Sequence, residues 1–239
     1  CKRRFVPFEL EVDKIRKPKN LITAIKTAQD SGKNPIIAEV KYRSPAGENR
    51  ELGSPQELAL EMQRGGACAI SVLTEPEFFG GNLENLPSVK KAVTLPVLRK
   101  DFIFHPTQIA ESYYYGADSI LLITSYFTKG ELKQMITDSR SYGMEPLVEV
   151  HSPADIETAQ AAGAALYAVN NRDKDTLVID LDRTVQMAPL IDGVIVSASG
   201  VETTDDLKKV LKHADAALVG TSIMKSLDIE SKVRELVKA

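Results

Sequence analysis

The stretch Pro35-Ile36-Ile37-Ala38-Glu39-Val40-Lys41 decides the fold. Its short apolar run has the make-up of a buried strand, yet it ends in two charges. Alternate strand side chains share a face, so Glu39 and Lys41 point the same way. Burying two charges side by side is costly unless they pair or carry out chemistry. The pattern then recurs. Val97-Leu98-Arg99-Lys100 ends in a lysine, Leu147-Val148-Glu149 in a glutamate, and Tyr167-Ala168-Val169-Asn170 in an asparagine. Apolar strands that each carry a polar or ionisable group near the C-terminal end describe an active site at one mouth of a parallel barrel.

Outward from these ends, the chain alternates β-like and amphipathic runs. Strands are expected near 35–41, 67–73, 96–100, 118–123, 145–150, 166–170, 193–199 and 215–219, all rich in Ile, Val and Leu as strands covered on both faces must be. Between them stand helix starts. Ser54-Pro55-Gln56-Glu57 is a capping box with proline at the first helical position, and Ser152-Pro153-Ala154-Asp155 nearly repeats it. His105-Pro106 and Thr203-Thr204-Asp205-Asp206 open two more helices. Gly65-Gly66-Ala67, Gly116-Ala117-Asp118 and Gly163-Ala164-Ala165 place glycines where helices turn into strands. Eight strands with following helices predict an α/β fold, a (β/α)₈ TIM barrel, rather than a doubly wound sheet. No early G-x-G-x-x-G supports a dinucleotide fold. Residues 1–34 do not fit the repeat. Leu21 to Ala28 has helical periodicity ending at Gly32, so 1–34 is expected as an N-terminal helical extension whose charged leading segment could close over a barrel end, with 35–239 as the barrel and a single domain overall.

Composition narrows the partners. The chain has 239 residues, 43% hydrophobic and 26% charged, enough for a substantial core. Thirty Lys and Arg against 33 Asp and Glu leave a net charge of −3, so no basic excess points to nucleic acid. Cys1 and Cys68 have no metal or redox spacing, and Cys68, in Ala67-Cys68-Ala69-Ile70, reads as a buried inert thiol suited to a reducing cytosol. The N-terminus lacks the apolar core of a signal peptide, and no apolar run is long enough to cross a membrane. The expectation is a cytoplasmic protein with no nucleic-acid or membrane partner.

Two chemically distinct sets sit at the strand ends. Ser199-Gly200 follows the seventh strand, and Gly220-Thr221-Ser222 follows the eighth and starts the last helix. Glycines let backbone N–H groups approach an anion, and barrels often bind phosphate at these two loops. The alternative is a pair of ordinary short βα turns. The second set is Glu39, Lys41, Lys100, Glu149, Asn170 and Arg172. Two carboxylates among cations can serve as acid and base, and a lysine against apolar walls can protonate a carbonyl. The alternative here is a structural ring of ion pairs. His105 and His151 stand at or just before helix-start prolines and read as capping or surface residues. No cluster has metal-ligand spacing, so no metal is expected, and no Gly-x-Ser-x-Gly elbow occurs. Phe78, Phe79 and Phe102 stand beside the same mouth, where they flank a flat substrate or pack the core.

The segments I-I-A-E-V-K-Y-R-S-P (36–45), T-E-P-E-F-F-G-G (74–81), L-P-V-L-R-K-D-F-I (95–103), L-V-E-V-H (147–151) and V-N-N-R-D (169–173) resemble the indole-3-glycerol phosphate synthase family. The match runs in order from about Pro35 to the end, with E-V-K-x-x-S-P and R-K-D-F the most specific parts, and the N-terminal helix fits as well. The resemblance implies a tryptophan-pathway carboxy-lyase that needs no cofactor. It would convert 1-(2-carboxyphenylamino)-1-deoxyribulose 5-phosphate to indole-3-glycerol phosphate, carbon dioxide and water. By matching motifs, Lys100 would be the general acid at the ribulose carbonyl, and Glu149 would serve the dehydration with Glu39 and Asn170 assisting. Lys41 would hold the substrate carboxylate or phosphate, with Ser44, Arg172 and Ser199 as binding residues. Phe79 and Phe102 would flank the anthranilate ring, and Gly200, Gly220 and Thr221 would cradle the phosphate. One departure stands out: the family reads Glu-Ser-Gly after the seventh strand, where this chain has Ala198-Ser199-Gly200, and Ser197 is too short to replace the glutamate. Two other readings compete. A different phosphate-binding barrel isomerase should carry an aspartate or cysteine pair at the strand ends, and none is evident. A silent scaffold barrel rests on Ala198 alone, against two retained lysines and two retained glutamates. A monomer is compatible with the sequence, as is association with other tryptophan-pathway enzymes.

Overall fold

The computed structural model describes residues 16–44, 47–48 and 53–239. Cys1 and the charged leading segment lie outside the described residues. Eight parallel strands close into a barrel: β1 (Ile36–Val40), β2 (Ala69–Leu73), β3 (Val97–Lys100), β4 (Ser119–Ile123), β5 (Leu147–Val150), β6 (Leu166–Asn170), β7 (Val194–Ala198) and β8 (Ala216–Val219). Each pairs with its sequence neighbour, and β8 closes on β1 through Ile36↔Ala217, Ile37↔Leu218 and Ala38↔Val219. The expected (β/α)₈ barrel is the observed fold, with every strand inside its expected range.

Alternation along each strand builds two apolar layers. Ile37, Ala69, Leu98, Leu121, Leu147, Leu166, Val196 and Ala216 fill the barrel interior. The opposite faces pack against the helices. Val40, Val72 and Val219 meet one half of the ring, which includes helices Pro55–Gly65, Thr204–Leu211 and Ile229–Lys238. Ile120, Val148 and Val169 meet the other half, which includes Pro106–Tyr114 and Lys129–Ser141.

Helix Leu21–Asp30 is capped by Asn20, whose side chain accepts from the Thr23 N–H. It inserts Leu21 and Ile25 into the interior cluster and so seals the N-terminal end of the barrel. Full burial of two such side chains stabilises by roughly 1.5–3 kcal/mol each. Nearby, buried Asp118 is neutralised by Arg16 at 2.7 Å and by Lys90, and it accepts from the Val97 and Lys19 amides.

The expected helix signals act as read. Glu57 accepts from the Ser54 backbone and hydroxyl, and Thr203 and Asp206 cap each other. His105 Nδ1 accepts from the Thr107 N–H, which makes it the expected cap. At the helix exits Gly66, Gly116 and Gly163 have φ of +101°, +94° and +87°, a region that favours glycine. A two-residue antiparallel ladder, Arg43–Ser44 with Gly47–Glu48, follows β1 and was not expected.

Candidate active site

On β3 the two neighbouring cations part company. Arg99 faces the helices, fully buried, and pairs with Asp101 at 2.9 Å and Glu111 at 2.7 Å. Lys100 therefore faces the barrel axis. Its Nζ lies 2.9 Å from Glu39 Oε2, and Lys41 Nζ lies 3.5 Å from Glu39 Oε1. Ser71, inward on β2, donates to Glu39 Oε2 at 3.4 Å. Lys41 also donates to Thr221 Oγ1 at 3.0 Å, joining the end of β1 to the segment after β8. Gly220 leaves room for this: a Cβ there would sit 2.7 Å from Glu39 Oε1.

A second cluster hangs from β5 and β6. Glu149 Oε1 accepts from Asn170 Nδ2 at 3.1 Å and meets His151 Nε2 at 2.9 Å. Asn170 Oδ1 in turn accepts from the Arg172 N–H.

Burial and charge compete at each group. Burial raises the Glu39 carboxyl, but Lys100 and Lys41 more than reverse this and hold it below its ordinary value. Glu149 is likewise raised by burial and brought below its ordinary value by His151, Lys100 and Asn170. Burial lowers Lys100, yet Glu39 and then Glu149 outweigh it, so this lysine is held more firmly protonated than usual. Lys41 behaves differently: burial dominates and its value falls. Burial thus weakens Lys41, while Lys100 is a cation stabilised between two carboxylates. Cys68 is buried and pushed up to about 12, an inert thiol as expected.

Lys100 and Glu149 also line a cavity of about 280 Å³ at the C-terminal end of the barrel. Leu121 and Ile123 provide apolar wall, and Asn170, Arg172, Asp173 and Lys174 supply its polar side. The aromatic side is Phe79, Phe102 and Tyr126. The Phe102 centroid is 6.2 Å from Phe79 and 6.0 Å from Tyr126, both tilted, and Phe78 meets it edge-on from outside. Such a wall suits a flat ring. Among the described residues, no group of three or more His, Cys, Asp or Glu is placed to hold a metal ion.

The profile of a family described as indole-3-glycerol phosphate synthase matches residues 2–236. The chain belongs to the indole-3-glycerol phosphate synthase family. It is 40% identical over 231 residues to the indole-3-glycerol phosphate synthase of Haloarcula marismortui, covering 93% of this chain and 84% of that protein. It is 43% identical over 235 residues to that of Methanocaldococcus jannaschii, covering 96% and 87%. Solved structures add the fold alone. The tryptophan synthase alpha chain from Legionella pneumophila matches with TM-score 0.66 at 14% identity, covering 90% of this chain and 95% of that one. The 3-hexulose-6-phosphate synthase from Salmonella typhimurium matches with TM-score 0.66 at 16% identity, covering 84% and 96%. Family membership makes the chain an enzyme, a carboxy-lyase of tryptophan biosynthesis.

Against the family's motif residues, the structure gathers Glu39, Lys41 and Lys100 into one ion cluster and Glu149 and Asn170 into the other, with Lys100 between them. Arg172, Phe79 and Phe102 line the cavity. Ser199, Gly200, Gly220 and Thr221 do not line it and stand instead on the β7–β8 side. Ser199 takes a left-handed φ of +70°, its carbonyl held by Asn171, and Ile179 covers Gly200. Ser44 pairs with Gly47 through its backbone, and its side chain is outside the described part.

The roles drawn from the motifs leave out two neighbours. His151 was read as a cap or surface residue, but its ring turns inward to Glu149, because 147, 149 and 151 share one face. Tyr126 was also missed; it comes from the one-turn helix Thr124–Tyr126 after β4, where no strand periodicity marks it. At the family's glutamate position, Ala198 points into the apolar interior opposite Asn170. Ser197 cannot stand in for it because it faces outward, bonded to Asn171 and Thr184. Direction, more than length, rules it out.

Proposed function

We propose that this chain converts 1-(2-carboxyphenylamino)-1-deoxyribulose 5-phosphate to indole-3-glycerol phosphate, carbon dioxide and water, with Lys100 as the acid and Glu149 as the base. The observation that carries the roles is the charge state of the cavity wall: a lysine held protonated by Glu39 beside a glutamate held ionised. In ring closure, the ring carbon bearing the carboxylate attacks the ribulose carbonyl, and the carbonyl oxygen takes a proton from Lys100. Loss of carbon dioxide returns its bonding pair to the ring and restores aromaticity. The new hydroxyl then leaves as water with a second proton, while Glu149 takes a proton from the adjacent methylene to complete the indole double bond. Glu39 keeps Lys100 charged and aimed, and Asn170 aims Glu149.

Binding follows from the walls. The anthranilate ring lies against Phe79 and Phe102, and Arg172, Ser44 and Ser199 are polar contacts to the substrate as a whole. The phosphate end lies toward Lys41, Gly200, Gly220 and Thr221, a placement supported by the Lys41–Thr221 bond. In this reading 1–34 is an extension to one barrel domain, 35–239, and the protein works in the cytoplasm, as a monomer, on a phosphorylated small molecule. Purified protein incubated with the substrate should develop indole fluorescence and release carbon dioxide in equal amounts. Folded protein that produces neither overturns the reading.

A further inference from the structure

His151 is a titratable ring in the cavity wall that the reaction above leaves unused. It follows β5, and its backbone N–H is fixed by Asp155 Oδ2 at 2.8 Å, at the start of helix Pro153–Ala161. Its Nε2 lies 2.9 Å from Glu149 Oε1, and its other nitrogen, Nδ1, is buried with no hydrogen-bond partner among the described residues. Only one arrangement suits a carboxylate acceptor: Nε2 carries hydrogen and donates, while Nδ1 alone gains or loses the second proton. Both donors to Glu149, from His151 and Asn170, land on Oε1. Oε2 is left as the oxygen that can turn to substrate.

We infer that His151 is a positioning residue for the dehydration step: it fixes which oxygen of Glu149 takes the proton and, through the charge on its Nδ1, sets how basic that oxygen is. The inference rests on Glu149 being the base. With the imidazole neutral, Oε2 is an ordinary aligned carboxylate oxygen. With the imidazole protonated, a full positive charge sits 2.9 Å from Oε1 and makes Glu149 a weaker base. The groups facing the ring are known. Glu149 and Asp155 favour its charged form, Arg183 from helix Asp182–Met187 opposes it, and burial opposes it most of all; the balance lies above the ordinary value of 6.5. Tyr126, Asp173 and Lys174 line the same cavity. Dehydration should therefore slow as pH falls through the His151 transition, although Glu149 itself stays ionised.

His151→Gln and His151→Leu separate the parts of this role. Glutamine has an N–H₂ that can still donate to Oε1 but cannot titrate; leucine does neither. Wild type and both variants are compared with the carboxyphenylamino substrate across pH 5.5 to 9, together with thermal melts. His151→Leu should lose about tenfold or more in kcat at near-constant KM, the cost of a lost hydrogen bond to a charged group. His151→Gln should keep most of kcat and lose the acid limb that wild type shows. An unchanged kcat in His151→Leu overturns the inference, and so does an acid limb that persists unmoved in His151→Gln. If leucine destabilises the fold, the glutamine pH profile still decides. Failure of the reaction reading is separate, since it appears as absent turnover in wild type.

Discussion

Gly220→Ala isolates a single contact at the heart of the ion cluster. The Gly220 φ of −122° is negative, so the new methyl meets no left-handed penalty and acts chiefly through space. It would sit 2.7 Å from Glu39 Oε1, 3.2 Å from its Cβ and 3.3 Å from its Cδ. Ordinary contact needs about 3.5 Å, so the carboxylate must retreat by roughly half an ångström or more. The Cβ contact can be relieved only by a small backbone shift, and the carboxylate is not free to swing: its two oxygens bind Lys100 at 2.9 Å and Lys41 at 3.5 Å. Losing one partner of a buried pair costs about 3–5 kcal/mol, and a loosened pair less, so about 1–3 kcal/mol is expected. For a chain of this length that is a fall in Tm of roughly 2–12 °C. Lys100 shifts with its partner, and a misplacement of about 1 Å can cost ~10²-fold in rate. Kinetics and a melt on the variant are the assay. Both falling together supports the contact. An unchanged Tm and kcat would refute it, and a raised KM alone would make Gly220 a phosphate-cradle residue with no claim on Glu39.

Lys100→Ala removes the acid and leaves Glu39 paired mainly with Lys41; turnover should fall about 10²–10⁴-fold, and near wild-type activity would remove Lys100 from the role. Stability should pass through a maximum on the acid side of neutrality. Glu39 and Glu149 are held below 4.5, so their contribution is complete above that pH and is lost as pH falls through their lowered folded values. His151 is held above 6.5, so its contribution is complete below 6.5 and is lost as pH rises through its raised folded value. Denaturant unfolding at a series of pH values checks both limbs: Glu149→Gln should flatten the acid one and His151→Gln the alkaline one.

Much of this was legible because a parallel barrel ties chemistry to strand parity. Counting in twos from Ile37 reaches Glu39 and Lys41, and from Leu147 it reaches Glu149. The same count continues to His151, yet the proline after it drew the reading toward a helix cap, and only the fold shows that residue 151 still belongs to the strand's inner face. Gly220 was read as a place where backbone meets an outside anion; its nearest anion is the protein's own Glu39, across 180 residues that no local pattern connects. Local periodicity gives the direction of a side chain along its own strand. It does not give the neighbour on another strand, which is why the division into two ion clusters, and Lys100 as their link, had to come from the barrel.

Closure of the ring runs through the ion cluster, at the strand pairing most distant in sequence. β1 and β8 meet only when the two ends of the chain come together, and the join is fastened by Pro35 with Ala217 and by Asn34 with Leu236 and Val237. Glu39 and Lys41 stand on one side of that seam, Gly220 and Thr221 on the other. Bringing segments so distant together costs about 4–5 kcal/mol of chain entropy before any contact rewards it. The arc β1–β2–β3 already sets Glu39 beside Lys100; what the seam adds is the Lys41–Thr221 bond and the Gly220 backbone packed on Glu39. The proposed phosphate end of the site is thus tied to the one strand pairing that makes the barrel continuous.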